Sequence, residues 1–331
     1  MHGILASAFI LGVLLYYSAF DSMASLCRWI HRRLRGAWIR TRPYVILDAE
    51  GVPMVVYPGM GPQRNPATVS IYALRYYEEY VWDRDPLSRG LFMNCVRWLV
   101  DNLEASGDCG VWLYLFDHRQ WRAPWRSSLA QGLGIQALTR AFKLTGDRRY
   151  LEMAGRALRA FLVPIEDGGV LALDPGDGGY WYEECASEGS PIHYILNGFT
   201  YSLLGIYEYY QATRDAVAYE IFRRGVEELK RHVSEYDTGK WTYYDRVKTL
   251  ASEGYHRIHV DHMLKLYEIT REMVFLETHR RWGSYRRPSP RSFASPKLRL
   301  AAMMASMMLS LLMACISYKA FKEIVSGWLV P

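Results

Sequence analysis

The chain has 331 residues, enough for one large domain or two small ones, and half of it is hydrophobic. Aromatics make up 14%, led by 25 tyrosines, and rings with a polar handle suit sugar faces or membrane interfaces. The net charge of +6 comes from basic clusters flanking the two ends, with no basic-aromatic strand-binding pattern, so no nucleic-acid partner is expected; five cysteines without CxxC spacing read as mostly free thiols.

The first predicted element is the uncharged run GILASAFILGVLLYYSAF (3–20), read as a transmembrane anchor within residues 1–22 because no basic n-region precedes it. Residues 23–64 form a basic juxtamembrane segment carrying Arg28, Arg32, Arg33, Arg35, Arg40 and Arg42, then a short β arm around PYVILDAEGVPMVVYPGMGPQR. Helical periodicity follows over 68–82, 86–106, 128–145, 148–163, 194–213 and 216–234, with a last pair across 259–284. The turns within pairs are short: DRD (83–85), TGD (145–147) and TRD (213–215), the last two with an Asp placed to cap the next helix. After a Pro/Ser/Arg linker (286–299) comes a second uncharged run, 300–318, expected to be a second membrane helix. Arg286, Arg287, Arg291, Lys297 and Arg299 precede it, so the positive-inside rule predicts a two-pass membrane protein with residues 21–299 on the cytoplasmic side.

Between helix pairs the connections are long and alike. DCGVWLYLFD (108–117), DGGVLALDPGDGGYWYEE (167–184) and DTGKWTYYD (237–245) each start with Asp-x-Gly and enter a β-like stretch. Gly110 and Gly169 are 59 residues apart, Gly169 and Gly239 70. A recurring helix pair with a decorated loop predicts a mostly α fold: an incomplete (α/α) toroid over 65–285, with short β hairpins in the rim loops and flanked by the two transmembrane helices. Such a rim gathers Glu183, Glu184, Trp112, Asp117, Tyr243, Tyr244 and Tyr255 around an open groove suited to a polymer. Gly132, Gly134, Gly198 and Gly205 fall inside helices, which predicts close helix approach. His256, His259 and His262 lie at i, i+3 and i+6, turning about 240° around a helix, so no metal site is expected there.

Seven stretches in order, NPATVSIYAL (65–74), GVWLYLFD (110–117), PWRSSLAQGLGIQAL (124–138), WYEEC (181–185), ILNGFTYSLLGIYEYY (195–210), YDTGKWTYYD (236–245) and GYHRIHVDHMLKL (254–266), resemble the catalytic C-terminal domain of the D-glucuronyl C5-epimerases. The resemblance implies a homologue without most of that family's N-terminal β domain. The resemblance implies a uronyl C5-epimerase acting on a glucuronate-containing polysaccharide or lipid-linked glycan, as in heparan-type biosynthesis. A base removes the proton at C5, an acid returns one on the opposite face, and hydrogen-bonding or positive groups hold the carboxylate. This chemistry needs neither a metal nor another cofactor. Carried over residue by residue, the resemblance implies Glu184, Tyr255 and Tyr244 as catalytic groups. Arg246 is the implied carboxylate clamp, and Asn197, Gln131, Trp125, His256, Glu183 and Cys185 the implied substrate contacts. Cys185 stands where the family has Tyr, and Val247 where it has a basic residue.

Three rival readings share the toroid: a polysaccharide lyase, a glycoside hydrolase and a non-catalytic glycan-binding membrane protein. The hydrolase needs two carboxylates across the scissile bond, whereas Glu183 and Glu184, adjacent in an extended segment, point apart. The expected partners are the glycan and the lipid bilayer. The oligomeric state is left open, a homodimer included.

Overall fold

Asn65-Pro66 and Asp85-Pro86 each pair a polar N-cap with proline in the first turn, the arrangement that starts a helix while satisfying its free N–H groups. The structure, a computed structural model, describes residues 44–286 together with Met304 and Met308. The expected arm at 43–64 is a three-stranded antiparallel meander: β1 (Tyr44–Leu47), β2 (Pro53–Tyr57) and β3 (Gly61–Gln63). Four helix hairpins follow: α1 (Pro66–Asp83) with α2 (Pro86–Asp101), α3 (Ser128–Thr145) with α4 (Arg149–Leu158), α5 (Leu196–Thr213) with α6 (Ala216–His232), and α7 (Glu253–Thr270) with α8 (Met273–Gly283). Helices expected at 86–106 and 148–163 end sooner. The first gives way to β4 (Glu104–Ser106), paired with β5 (Cys109–Val111), and the second to a 3-10 turn over Arg159–Leu162.

The hairpin turns share one device. Arg84, Gly146, Arg214 and Arg271 all cap the preceding helix in the left-handed region. Asp85 and Asp215 then accept from the first N–H groups of α2 and α6. In TGD the expectation shifts by one residue: Asp147 accepts from Arg149, while Arg148 takes the N-cap position.

The odd-numbered helices pack on one another in series, α1 on α3, α3 on α5 and α5 on α7, while α1 and α7 do not pack as neighbours do. The described unit is thus an open arc of hairpins. Its tightest seam joins α3 and α5: a Cβ on Gly132 would lie 2.5 Å from the Ser202 backbone, and one on Gly205 2.1 Å from the Gly132 carbonyl. Only glycine allows that approach, as the sequence predicts. Trp112, expected on the rim, is instead fully buried beneath Gly134, with its indole N–H on the Leu99 carbonyl. Trp181 stacks on Phe199 at 3.9 Å, packing the β6 (Leu171–Leu173) and β7 (Tyr180–Tyr182) hairpin onto α5.

The expected membrane runs 3–20 and 300–318 lie outside the described residues, Met304 and Met308 excepted. Among the described residues no helix is long and apolar enough to cross a membrane.

Candidate active site

The amino ends of α1, α3, α5 and α7 converge on one cavity of about 280 Å³, lined in part by Thr68, Ser127, Ile195 and Tyr255 from those ends. Helix N-termini present unpaired N–H groups and a positive dipole end, so their convergence favours negative charge. A larger cavity of about 430 Å³ beside α2 and α4 is lined by Met93, Arg97, Val100, Arg149, Tyr150, Glu152 and Met153, none of them a sequence-predicted site residue.

The segment after β7 brings the carboxylates in. Ser128 donates its N–H to the Glu183 carbonyl at 3.0 Å and its hydroxyl to the Tyr182 carbonyl at 2.9 Å, and Arg126 and Ala186 exchange backbone bonds. Side chains alternate along this extended segment. Glu183 turns into the interior, fully buried, and accepts from the Tyr194 N–H at 3.0 Å. Glu184 faces the cavity. Asn197 donates to Glu184 Oε2 at 3.0 Å, the Gly198 N–H also donates to this carboxylate, and the Tyr244 hydroxyl lies 3.4 Å from Oε1. A Cβ on Gly198 would fall 2.4 Å from Glu184 Oε2, so glycine there admits the carboxylate to the start of α5. Burial, and then the Glu183 charge, push the Glu184 carboxyl up to about 8, against the pull of its three donors. Burial also raises Glu183.

Tyr244 is held by its own N–H on the Thr249 carbonyl and its carbonyl on the Leu196 N–H. Tyr255 sits in the first turn of α7, capped by Ser252, with its ring 4.7 Å from that of Tyr244. The two phenols are hydrogen-bonded to each other. Burial and the Glu184 charge raise both above the ordinary tyrosine value, so both are proton donors at neutral pH. Cys185 also lines the cavity, and burial, then the two neighbouring acids, keep its thiol protonated.

The opposite wall is aromatic. Trp125 stacks on Tyr114 at 3.8 Å, and Tyr57, His118 and Trp121 complete the surface. Arg119 stands at its edge and is the single Arg or Lys among the cavity-lining residues. No ion pair engages it among the described residues. The sequence reading passed over Tyr57, Tyr114, Trp121 and Arg119. GVWLYLFD contains Tyr114, and it and PWRSS flank the loop that carries Arg119 and Trp121, which is the signal the sequence offers.

Thus the structure brings together Glu184, Tyr244, Tyr255, Trp125 and Cys185, with Asn197 behind Glu184. Other expected contacts lie elsewhere. Gln131 is fully buried, accepting from the Trp112 N–H and donating to the Gly110 and Ala157 carbonyls, so it pins the β4–β5 hairpin to α3. Arg246 is no clamp here: its guanidinium pairs with Glu235 at 2.9 Å and with Asp174, and lies over the Tyr194 ring. His256 stacks on Trp241 at 3.6 Å and bonds Thr242. His259 and His262, lowered to about 3 chiefly by burial, bond Thr242 and Thr200 respectively.

A family model described as the D-glucuronyl C5-epimerase C-terminus matches residues 106–284, which include Glu184, Tyr244 and Tyr255. An uncharacterized protein of Methanocaldococcus jannaschii is 31% identical over 243 residues, 67% of this chain and 78% of that one. The D-glucuronyl C5-epimerase of Caenorhabditis elegans is 34% identical over 219 residues, 59% of this chain but 34% of the nematode enzyme, so the chain spans about a third of that relative. Among solved structures, a GH76 α-mannanase of Bacteroides thetaiotaomicron superposes with a TM-score of 0.52 at 13% identity, covering 95% of this chain and 87% of that chain. A family 76 glycoside hydrolase from a bovine strain of that species gives 0.51 at 15% identity, covering 81% and 59%. At such identities these likenesses speak to the helical-hairpin fold alone. By the family match and the nematode relative, the chain belongs to the family of the D-glucuronyl C5-epimerase C-terminal domain.

Proposed function

We propose that this chain is a uronyl C5-epimerase acting on a glucuronate-containing glycan. The observation that carries the reading is the chain Glu184–Tyr244–Tyr255 on one cavity, a carboxylate raised toward neutrality that accepts from the neutral phenol of Tyr244, with the neutral phenol of Tyr255 against Tyr244. Ionised Glu184 takes the C5 proton, and the C5–H electron pair moves into the uronate carboxylate as an enolate. The Tyr255 hydroxyl returns a proton to C5, leaving a phenolate. The proton on Glu184 then passes through Tyr244 to Tyr255, which restores the starting state. Sugar rings stack on the wall formed by Trp125, Trp121 and Tyr57. Arg119 binds the uronate carboxylate, the task first expected of Arg246, and the four helix N-termini add to the field that stabilises the enolate.

A hydrolase finds less support, because Glu184 is the single carboxylate among the residues lining the cavity. The uncharged sequence runs and their basic flanks favour a membrane-proximal or lipid-linked glycan as substrate.

The test is deuterium uptake from D₂O at C5 of glucuronate oligosaccharides. Wild type is expected to exchange without chain cleavage, with exchange lost in Glu184→Gln and Tyr255→Phe. Exchange accompanied by an unsaturated sugar would instead mark a lyase. No exchange on any glucuronate or iduronate glycan would overturn the reading in favour of a binding protein.

A further inference from the structure

A second cluster, with Asp174 and Glu228 buried in it, lies away from the cavity. Asp174 and Asp177 come from the turn between β6 and β7, and Glu228 and His232 from the last turns of α6. Glu228 and His232 are four apart and share a helix face. One ligand atom from each of the four residues falls within 4.8 Å of all the others.

Two atoms in the cluster are orphaned. Glu228 Oε1 and His232 Nε2 are buried without a hydrogen-bond partner, and the Glu228 side chain is fully buried. Unpaired buried polar atoms are rare and costly. These two aim at each other: His232 Nε2 is 3.4 Å from Glu228 Oε1, 3.6 Å from Asp177 Oδ2 and 4.0 Å from Asp174 Oδ2. Two ligands each about 2.0–2.2 Å from a common ion lie about 3.0–3.5 Å apart when cis and about 4 Å apart when trans, so the spacings suit one shared ion. The other imidazole nitrogen supports this. His232 Nδ1 is 2.6 Å from Glu235 Oε1, the carboxylate-to-histidine link that turns the free nitrogen toward a metal.

Charge agrees. Arg231 pairs with Asp177 at 2.5 Å and with Glu228, and Arg246 pairs with Asp174 and with Glu235 at 2.9 Å. Four carboxylates thus face two guanidiniums, leaving two negative charges when His232 is neutral. Gly179 lets the turn close on this point, since a Cβ there would lie 1.7 Å from Glu228 Oε2.

We propose that Asp174, Asp177, Glu228 and His232 form a binding site for a divalent first-row metal ion, manganese or zinc. Oxygen-rich ligands with one imidazole suit these ions better than calcium or magnesium. The ion ties the β6–β7 turn to the end of α6. Through Arg246, whose N–H bonds the His193 carbonyl, it also steadies the segment that presents Tyr244. Its role is positional and adds no step to the proton transfers.

The test uses the untagged full chain stripped with a chelator, titrated calorimetrically with Mn²⁺, Zn²⁺, Ca²⁺ and Mg²⁺ in turn. One equivalent of Mn²⁺ or Zn²⁺ is expected to bind and to raise the Tm by about 3–8 °C at saturating ion. Asp177→Asn, at the most exposed ligand, should weaken binding at least tenfold, and His232→Gln should also erase the nitrogen coupling in the Mn²⁺ electron-spin-echo spectrum. Absence of stoichiometric Mn²⁺ or Zn²⁺ binding, preference for Ca²⁺, or binding unchanged in Asp177→Asn would each overturn the site. Asp177→Asn keeps the test decisive even where His232→Gln does not fold.

Discussion

The cavity around Glu184 and the cluster around Glu228 each enclose a glutamate whose carboxyl burial raises, and they surround it with different partners. Glu184 receives an amide, a backbone N–H and a phenol, all neutral, and has another carboxylate beside it in sequence. Glu228 receives a guanidinium and lies against an imidazole. Neutral donors leave the Glu184 carboxyl able to gain and lose a proton near pH 8, whereas at Glu228 Arg231 and His232 oppose the rise that burial causes. The first environment suits proton transfer, the second a structural clamp. Arg119 and Arg246 repeat the contrast, one left unpaired at a cavity wall and the other held by two acids.

The largest effect that could break this comparison is at Glu184. Glu184→Gln should lower C5 exchange about 10²–10⁴-fold. In wild type the ionised fraction of a group near pH 8 grows with pH, so kcat/KM in the direction that uses Glu184 as base should rise about fiftyfold between pH 6 and 8. Stability runs the other way. The folded carboxyl, at about 8, lies above the ordinary 4.5, so the fold holds an extra proton between those values. That contribution is complete below pH 4.5 and is lost as pH rises through 8. Thermal melts of Glu184→Gln should therefore lose less Tm across that window than wild type. A parallel decline in both would show that Glu184 does not carry the proton.

Next comes the pair of arginines. Arg119→Gln should raise KM for a uronate substrate about tenfold to a hundredfold, the worth of one charge-assisted hydrogen bond, and leave the Tm unchanged. Arg246→Gln should lower the Tm and leave KM within about twofold of wild type. A reversed result would return the clamp to the position that the sequence first suggested.

A third test separates stability from chemistry. Gln131→Leu removes three buried hydrogen bonds and takes the acceptor from the Trp112 N–H. The expected cost is about 2–4 kcal/mol, or roughly 5–12 °C in Tm, with the exchange rate per folded molecule unchanged.

Gln131 also shows what the sequence could and could not say. The helices were legible because their cores repeat at three and four residues, and the α3–α5 seam because Gly132 and Gly205 had no other reason to sit in helices. Glu184, Tyr244 and Tyr255 were legible through their family-like stretches. A polar residue in a motif, however, reads the same whether it serves the site or pins a hairpin: Gln131 and Asn197 are both buried, and only their partners, backbone groups for Gln131 and the Glu184 carboxylate for Asn197, separate them. Arg246 misled because its partner Asp174 is 72 residues away. Arg119 was missed because its place depends on a loop backbone at φ 54°, which no periodicity encodes. The metal cluster joins a turn to a helix end that lie over 50 residues apart, with no ligand spacing in either to flag it.

The smallest predicted effect concerns Cys185, which stands beside Glu184 where the family has Tyr. A thiol there invites the reading that it replaces a phenol as acid or base. The thiolate is the reactive form of cysteine, and here burial and two adjacent acids all favour the neutral thiol. It therefore cannot serve as a base at the pH where Glu184 ionises, and its role is to shape the cavity wall. Cys185→Ser should leave C5 exchange within about threefold of wild type, and the native thiol should resist iodoacetamide at pH 8 until the chain unfolds. Rapid alkylation of the folded chain, coupled to loss of exchange, would place the thiol in the proton path. The contrast between a mobile proton on Glu184 and fixed charges around Glu228 would then have to be redrawn with Cys185 on the mobile side.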